Sequence, residues 1–135
     1  MKTSVVVVGG GLTGCATAYA FATSGVKVVL LEAEQVGRGS TGSATGWIGG
    51  DPGTAFIDVE KALGRAAARH ALQSWRRAAL DLAALLRRLD IKCAFKPQGA
   101  AIVATTPDQA VRLKRDREAR RDAGVDAPLL NARTV

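Results

Sequence analysis

Four consecutive valines running straight into three glycines leave this chain few folds to choose from. Residues 5–32 read VVVVGGGLTGCATAYAFATSGVKVVLLE. The valine run is too short for a helix and is β-branched throughout, so it predicts a buried strand. Gly9, Gly11 and Gly14 follow in GxGxxG spacing. Residues 13–24 then set small and apolar side chains on a helical face, and Gly25 stops that helix. Residues 27–31 predict a second buried strand, with Glu32 at its end. Strand, crossover helix and strand make a βαβ unit with parallel strands.

Each glycine has a physical task in such a unit. Gly9 lets the chain turn sharply out of the strand. Gly11, without a Cβ, allows backbone to approach a pyrophosphate closely, and Gly14 lets the helix pack tightly on the strand, with Ala18 one turn later keeping that contact thin. The first N–H groups of the helix have no internal partner and point at the anion. Glu32 lies 18 residues beyond Gly14, where a carboxylate accepts hydrogen bonds from ribose hydroxyls and repels a 2′-phosphate, which disfavours NADP. The GxGxxG pattern is weak alone. Here it stands between a strand and a helix, with an acid after the second strand, which is the context a dinucleotide site requires.

The chain has 135 residues, enough for one small domain, and its hydrophobic content of 47% is that of a globular protein. No apolar run reaches membrane-spanning length, and the N-terminus lacks the pattern of a signal peptide, so a cytoplasmic chain is expected. Cys15 and Cys93 match no metal spacing, and with a single histidine no metal site is expected. Cys15 is read as a small buried thiol. The net charge of +7 is uneven: residues 1–64 carry four Lys/Arg and five Asp/Glu, whereas residues 65–135 carry fifteen and seven. Those later charges interleave at helix-surface spacing with no aromatic stacking platform, so a solvated basic face is expected and nucleic acid is not.

After Glu32 comes a long loop dense in Gly, Ser and Thr, running from Ala33 to Gly50. A flexible linker is one reading. Arg38, Trp47 and Ile48 argue for another, a loop that lines an extended cofactor beyond its adenosine. Together, Gly9-Gly10-Gly11-Leu12-Thr13-Gly14, Glu32 and Gly37-Arg38-Gly39-Ser40-Thr41-Gly42 resemble the amino-terminal part of the FAD-dependent D-amino-acid oxidase superfamily, which includes glycine oxidase-like and sarcosine oxidase-like enzymes. Many members next have an Arg-Asn-Gly-Gly-like stretch. This chain has Ser43-Ala44-Thr45-Gly46-Trp47-Ile48-Gly49-Gly50 there, so no subfamily follows.

The resemblance implies roles by position. Gly9, Gly11 and Gly14, with Leu12 and Thr13 between, would cradle the FAD pyrophosphate. Glu32 would hold the adenosine ribose, with Ala33 beside the adenine. Arg38, Ser40 and Thr41 would lie along the path from ribose to pyrophosphate, and Thr45, Gly46, Trp47 and Ile48 would approach the isoalloxazine. The implied reaction moves a hydride from an amine-bearing carbon of a small amine or amino-acid substrate to the flavin, giving an imine that water hydrolyses.

Beyond the loop, Asp51-Pro52-Gly53 predicts a turn and residues 54–64 a transitional segment. Residues 65–89 carry the longest helical pattern, with Ala68, Ala71, Leu72, Trp75, Ala79, Leu82, Leu86 and Leu89 on one stripe and Trp75 expected in the core. His70 abuts that stripe without a positioned partner and is given no catalytic role. Cys93-Ala94-Phe95-Lys96 and Gly99-Ala100-Ala101-Ile102-Val103-Ala104 read as two short strands around Pro97-Gln98-Gly99, a hairpin or a connection into an antiparallel sheet. Pro107 opens a helix over 108–123, with Ala110, Leu113 and Ala119 inward and RLKRDREARR largely solvated, and Gly124 ends it. Leu129-Leu130-Asn131-Ala132 resembles the family's segment after this helix.

The expected fold class is α/β: a Rossmann-like FAD-binding βαβ unit with long helices and the start of an antiparallel substrate-domain sheet. The expected division is an FAD-binding region at 1–90 and an incomplete substrate domain at 91–135. Enzymes of the resembled family run to several hundred residues, so this chain is expected to be an N-terminal portion, completed by a second polypeptide or an oligomer or inactive alone, and its catalytic residues cannot be named. Two other readings stay open. An NAD-dependent dehydrogenase fragment is allowed by Glu32 but not resembled by the 37–50 loop. A non-catalytic interaction module would use the basic half.

Overall fold

The computed structural model describes residues 2–125 and 127–130. Its elements in chain order are β1 (Val5–Val8), α1 (Leu12–Thr23), β2 (Val28–Leu31), α2 (Phe56–Leu63), α3 (Arg65–Arg88) and α4 (Pro107–Asp122). The chain divides into two compact units, Met1–Trp47 and Ile48–Val135. This is a division by packing.

The first unit is the expected βαβ. β1 and β2 pair in parallel, Val5 with Val28 through Val8 with Leu31. α1 ends as the glycine predicts: Gly25 takes φ +76°, its N–H donates to Ala22 O, and Val26 N–H donates to Phe21 O. These two bonds close the last carbonyls in a Schellman motif. α1 covers one face of the strands, the face of Val7. The other face is open rather than buried: Val6 is 53% and Val8 83% exposed, and Leu31, paired with Val8, is also exposed. A sheet covered on one side accounts for the difference, because all-apolar parallel strands reach full burial only with layers on both faces. Cys15 is half-buried, its thiol 3.5 Å from Gly10 O.

The second unit is helical. Its core is Phe56, Ala68, Leu72 and Ala123, with Val59, Ala119 and Val125 packed against them. Residues 54–64, expected to be transitional, hold the eight-residue helix α2. Its propensity is too slight to announce it, and tertiary contact supplies what isolation would not. Its N-cap position, Ala55, offers no side-chain acceptor; Asp116 of α4 accepts the Ile57 N–H at 2.9 Å instead. Along α3, Ala68 and Leu72 are buried and Ala79, Leu82 and Leu86 half-buried, while Ala71, Trp75 and Leu89 are exposed. Trp75 therefore lies outside the core it was expected to join. His70 is also exposed, 3.5 Å from Ser74 Oγ.

α4 starts as its sequence predicts, with Thr106 as N-cap accepting the Gln109 N–H and Pro107 in the first turn. It ends in a second Schellman motif at Gly124, and Ala110, Leu113 and Ala119 are partly buried. Its polar stretch is not all solvated, however. Asp116 is 5% exposed, and Arg120 lies between the carboxylates of Asp51 and Asp116.

The expected antiparallel sheet is absent among the described residues. Neither 93–96 nor 99–104 forms a strand, and the sheet present is two-stranded and parallel. Ala94 takes φ +52°, which breaks the first run, and a strand exists only where a neighbour completes its ladder. Asn131 and Ala132 lie outside the described residues. No helix among the described residues is long and apolar enough to cross a membrane.

Candidate functional site: the glycine turn of the first unit

The chain leaves β1 through Gly9, whose φ of +103° only glycine adopts readily. The Gly9 N–H donates to Leu31 O at 2.7 Å, so the turn begins tied to the end of β2. α1 then lies so close that a Cβ on Gly14 would stand 1.9 Å from Gly9 O. No side chain fits there. The third glycine of the pattern is thus required by the contact between helix and turn.

Gly10 was not singled out from the sequence, yet it is the buried residue of this turn. Its N–H donates to Glu32 Oε2 at 2.6 Å, and a Cβ at Gly10 would meet that carboxylate oxygen at 3.0 Å and the Glu32 Cβ at 3.1 Å. The available signal is the unbroken triple glycine of residues 9–11. Glu32 Oε1 accepts the Glu34 N–H at 3.0 Å. The backbone N–H groups of Glu34 and Gly10 hold the Glu32 carboxyl below its ordinary value, so it stands ionised at the end of β2.

The Gly/Ser/Thr loop is no loose linker at its start. Gly37 N–H donates to Gly10 O at 2.9 Å, and Thr41 Oγ1 accepts the Leu12 N–H at 2.9 Å. Gly11, the N-cap of α1, has no side chain to do this, so Thr41 caps the helix from 29 residues away in sequence. A Cβ on Gly11 would come within 3.2 Å of that hydroxyl. Three of the implied positions, Gly11, Leu12 and Thr41, therefore meet at the N-terminus of α1, and Gly9, Gly14 and Glu32 surround the same turn.

The remaining implied residues are not drawn into this network. Arg38 reaches Glu34 at 3.7 Å, both side chains being largely exposed. Thr13, Ala33, Ser40, Thr45 and Gly46 are exposed, as is Trp47, which closes the first unit. Ile48 opens the second unit and is half-buried.

A turn crowded at Gly10, Gly11 and Gly14, a helix N-terminus after it and an ionised carboxylate beside it are the features that dinucleotide-binding βαβ units combine. Comparison with known proteins says which kind. The family of FAD dependent oxidoreductases known as DAO matches residues 4–135. The chain belongs to that family.

Three curated relatives are similar to parts of the chain. Gamma-glutamylputrescine oxidoreductase of Escherichia coli (strain K12) is 31% identical over 114 residues, covering 84% of this chain and 26% of the relative. The putative Rieske 2Fe-2S iron-sulfur protein YhfW of Bacillus subtilis (strain 168) is 25% identical over 126 residues, covering 93% of this chain and 25% of the relative. The tRNA 5-methylaminomethyl-2-thiouridine biosynthesis bifunctional protein MnmC of Nitrosospira multiformis is 46% identical over 44 residues, covering 33% of this chain and 7% of the relative. The chain thus spans about a quarter of the length of the first two. No solved structure matches it. Membership of this family implies a Rossmann-like α/β fold, with which the parallel βαβ of the first unit agrees.

Proposed function

We propose that this chain is the FAD-binding portion of an oxidoreductase that oxidises a small amine or amino acid at the carbon bearing its nitrogen. The observation that carries this reading is the turn at Gly9–Gly14 in a chain of an FAD-dependent family. It has no room for a Cβ at Gly14, is crowded at Gly10 and Gly11, opens α1 and sets an ionised Glu32 alongside. Residues 1–90 would form the nucleotide-binding region and 91–135 the beginning of the substrate region.

In this reading Gly9, Gly11 and Gly14, with Leu12 and Thr13 between, cradle the pyrophosphate. Glu32 accepts the ribose hydroxyls with the lone pairs left by Gly10 and Glu34, and Ala33 lies along the adenine. Arg38, Ser40 and Thr41 follow the chain of the cofactor, and Thr45, Gly46, Trp47 and Ile48 border the isoalloxazine. When bound, the flavin supplies the hydride acceptor. This chain's residues orient it and keep charge near its phosphates balanced. The substrate-binding groups would come from further polypeptide, in the same or a second chain. The open face of Val6, Val8 and Leu31 supports the need for another layer.

The names of two relatives support an amine-bearing substrate, since one is an oxidoreductase of gamma-glutamylputrescine and the other acts in methylaminomethyl-thiouridine biosynthesis. The test is gel filtration of the chain after incubation with FAD, read by absorbance. Flavin bands co-elute with the wild-type chain and are lost from Gly11→Val and Glu32→Ala. A folded chain that emerges colourless overturns the proposal.

A further inference from the structure

The apolar stripe of α3 is covered at one end only. Ala68 and Leu72 are buried with Phe56 of α2 and Ala123 at the end of α4. The same face runs on through Trp75, Ala79, Leu82 and Leu86 to Leu89, yet none of residues 73–90 is buried. Trp75 is 51% and Leu89 40% exposed. The reason is length. α2 has eight residues, about 12 Å of helix, and α3 is three times as long. A stripe this wide on a helix is the kind that packs against another element, and left open it marks an interaction surface.

The open half is shaped at both ends. The Trp75 indole N–H donates to Gly49 O at 2.9 Å, which fixes the ring on the face. Past the other end the chain folds back, Ile91 N–H donating to Leu86 O at 3.0 Å. There Leu86, Arg87, Ile91, Phe95 and Pro97 line a cavity of about 360 Å³. The charge beside the stripe is of one sign. Arg76 and Arg87 stand eleven residues apart, three turns or about 16 Å, along the same edge. Both are exposed and form no ion pair among the described residues. Asp81, the acid of this half, lies away from the stripe and is held by Arg77 at 3.0 Å.

We propose that the second half of α3 is a docking face for an amphipathic helix of a second polypeptide, whose apolar stripe is edged by two acidic side chains three turns apart. The proposal is independent of the FAD reading. Charge and shape select this occupant. A second copy laid antiparallel sets Arg87 against Arg76, like charge against like. Laid parallel, it brings the two sets of α2 and α4 to the same level on the same face, where they collide. A bilayer with anionic headgroups matches the charge, but its surface cannot fill the cavity beside Phe95. A helix can, with one side chain, while its acids meet the two free arginines. Trp75 and the arginines are the residue types that carry most of the energy in such contacts.

The test uses the Trp47→Phe chain, in which Trp75 is the one tryptophan left, and two synthetic helical peptides. Both peptides carry leucines at three- and four-residue steps. One has glutamates and the other lysines at two edge positions eleven residues apart. The glutamate peptide moves Trp75 emission to shorter wavelength and saturates, and the lysine peptide binds about tenfold more weakly. Arg76→Glu with Arg87→Glu inverts that preference, and its far-UV circular dichroism matches the parent because both side chains are exposed and unpaired. Leu82→Gln weakens both peptides. The proposal is overturned if the two peptides bind alike, if neither binds, or if charge reversal leaves the preference unchanged. A dimer in sedimentation equilibrium overturns it too, since a second copy is then the occupant. So does Trp75 emission that responds to phosphatidylglycerol vesicles and not to the glutamate peptide.

Discussion

The two units of this chain are held in different ways. In the first, the decisive contacts run through the main chain: Gly9 N–H to Leu31 O, Gly37 N–H to Gly10 O, and the bare Cα of Gly14 against Gly9 O. Among the described residues, no hydrophobic side chain there is fully buried. In the second, a small core of Phe56, Ala68, Leu72 and Ala123 is fastened by a side-chain network, in which Asp116 serves both α2 and Arg120. Backbone geometry tolerates almost no change of residue but is announced by the glycines that permit it. A side-chain network depends on which residues meet, and no single position announces it.

Three substitutions sharpen that contrast. The largest effect falls on the network. Asp116→Ala leaves Arg120 buried with one carboxylate and Ile57 N–H without an acceptor, and should cost about 3–5 kcal/mol in denaturant unfolding. A cost below 1 kcal/mol would mean the network contributes little. Next comes the turn. Gly14→Ala forces a Cβ onto a backbone oxygen, at about 1–3 kcal/mol, near the upper end because a carbonyl oxygen yields less than a side chain. Hydrogen exchange should show protection lost over β1 and β2 and kept in α3, since each unit has its own contacts. Loss across both would erase the distinction between them.

The smallest effect is electrostatic and belongs to Glu32. Its folded pKa is lowered from 4.5 by the N–H groups of Glu34 and Gly10. A depressed carboxylate contributes stability above its unfolded pKa and loses it as pH falls through the folded one. Thermal unfolding of the wild type should therefore steepen in its pH dependence below 4.5, and Glu32→Gln should flatten that part of the curve. Equal slopes would show that the carboxylate is not held by those bonds.

Much of the first unit was legible in the sequence. The valine runs, the GxGxxG spacing, Gly25 and Glu32 each predict a local geometry that the structure contains. Gly10 escaped notice because its task, making room for Glu32, depends on a residue 22 positions away. The cap that Thr41 places on α1 escaped for the same reason. In the second unit, the boundaries of α3 and α4 were readable from periodicity, Pro107 and Gly124. The helix α2 was not, since it is short and takes its N-terminal acceptor from α4. The stretches 93–96 and 99–104 have strand-like composition, but composition provides no ladder partner, and Ala94 turns the chain aside.

The amino-acid sequence by itself determined the βαβ unit, the family and the place of the glycine turn, because these rest on local rules: where a Cβ cannot be, which residues stop a helix, and how many residues a strand needs. Only the tertiary structure decided that Asp116 and Arg120 of a highly charged helix turn inward, that Trp75 leaves the core to hold Gly49, and that one face of the strands stays open. Those outcomes depend on which groups meet across long stretches of chain. A charge is solvated or buried according to the partner it finds, and that partner is set by packing rather than by neighbours in sequence.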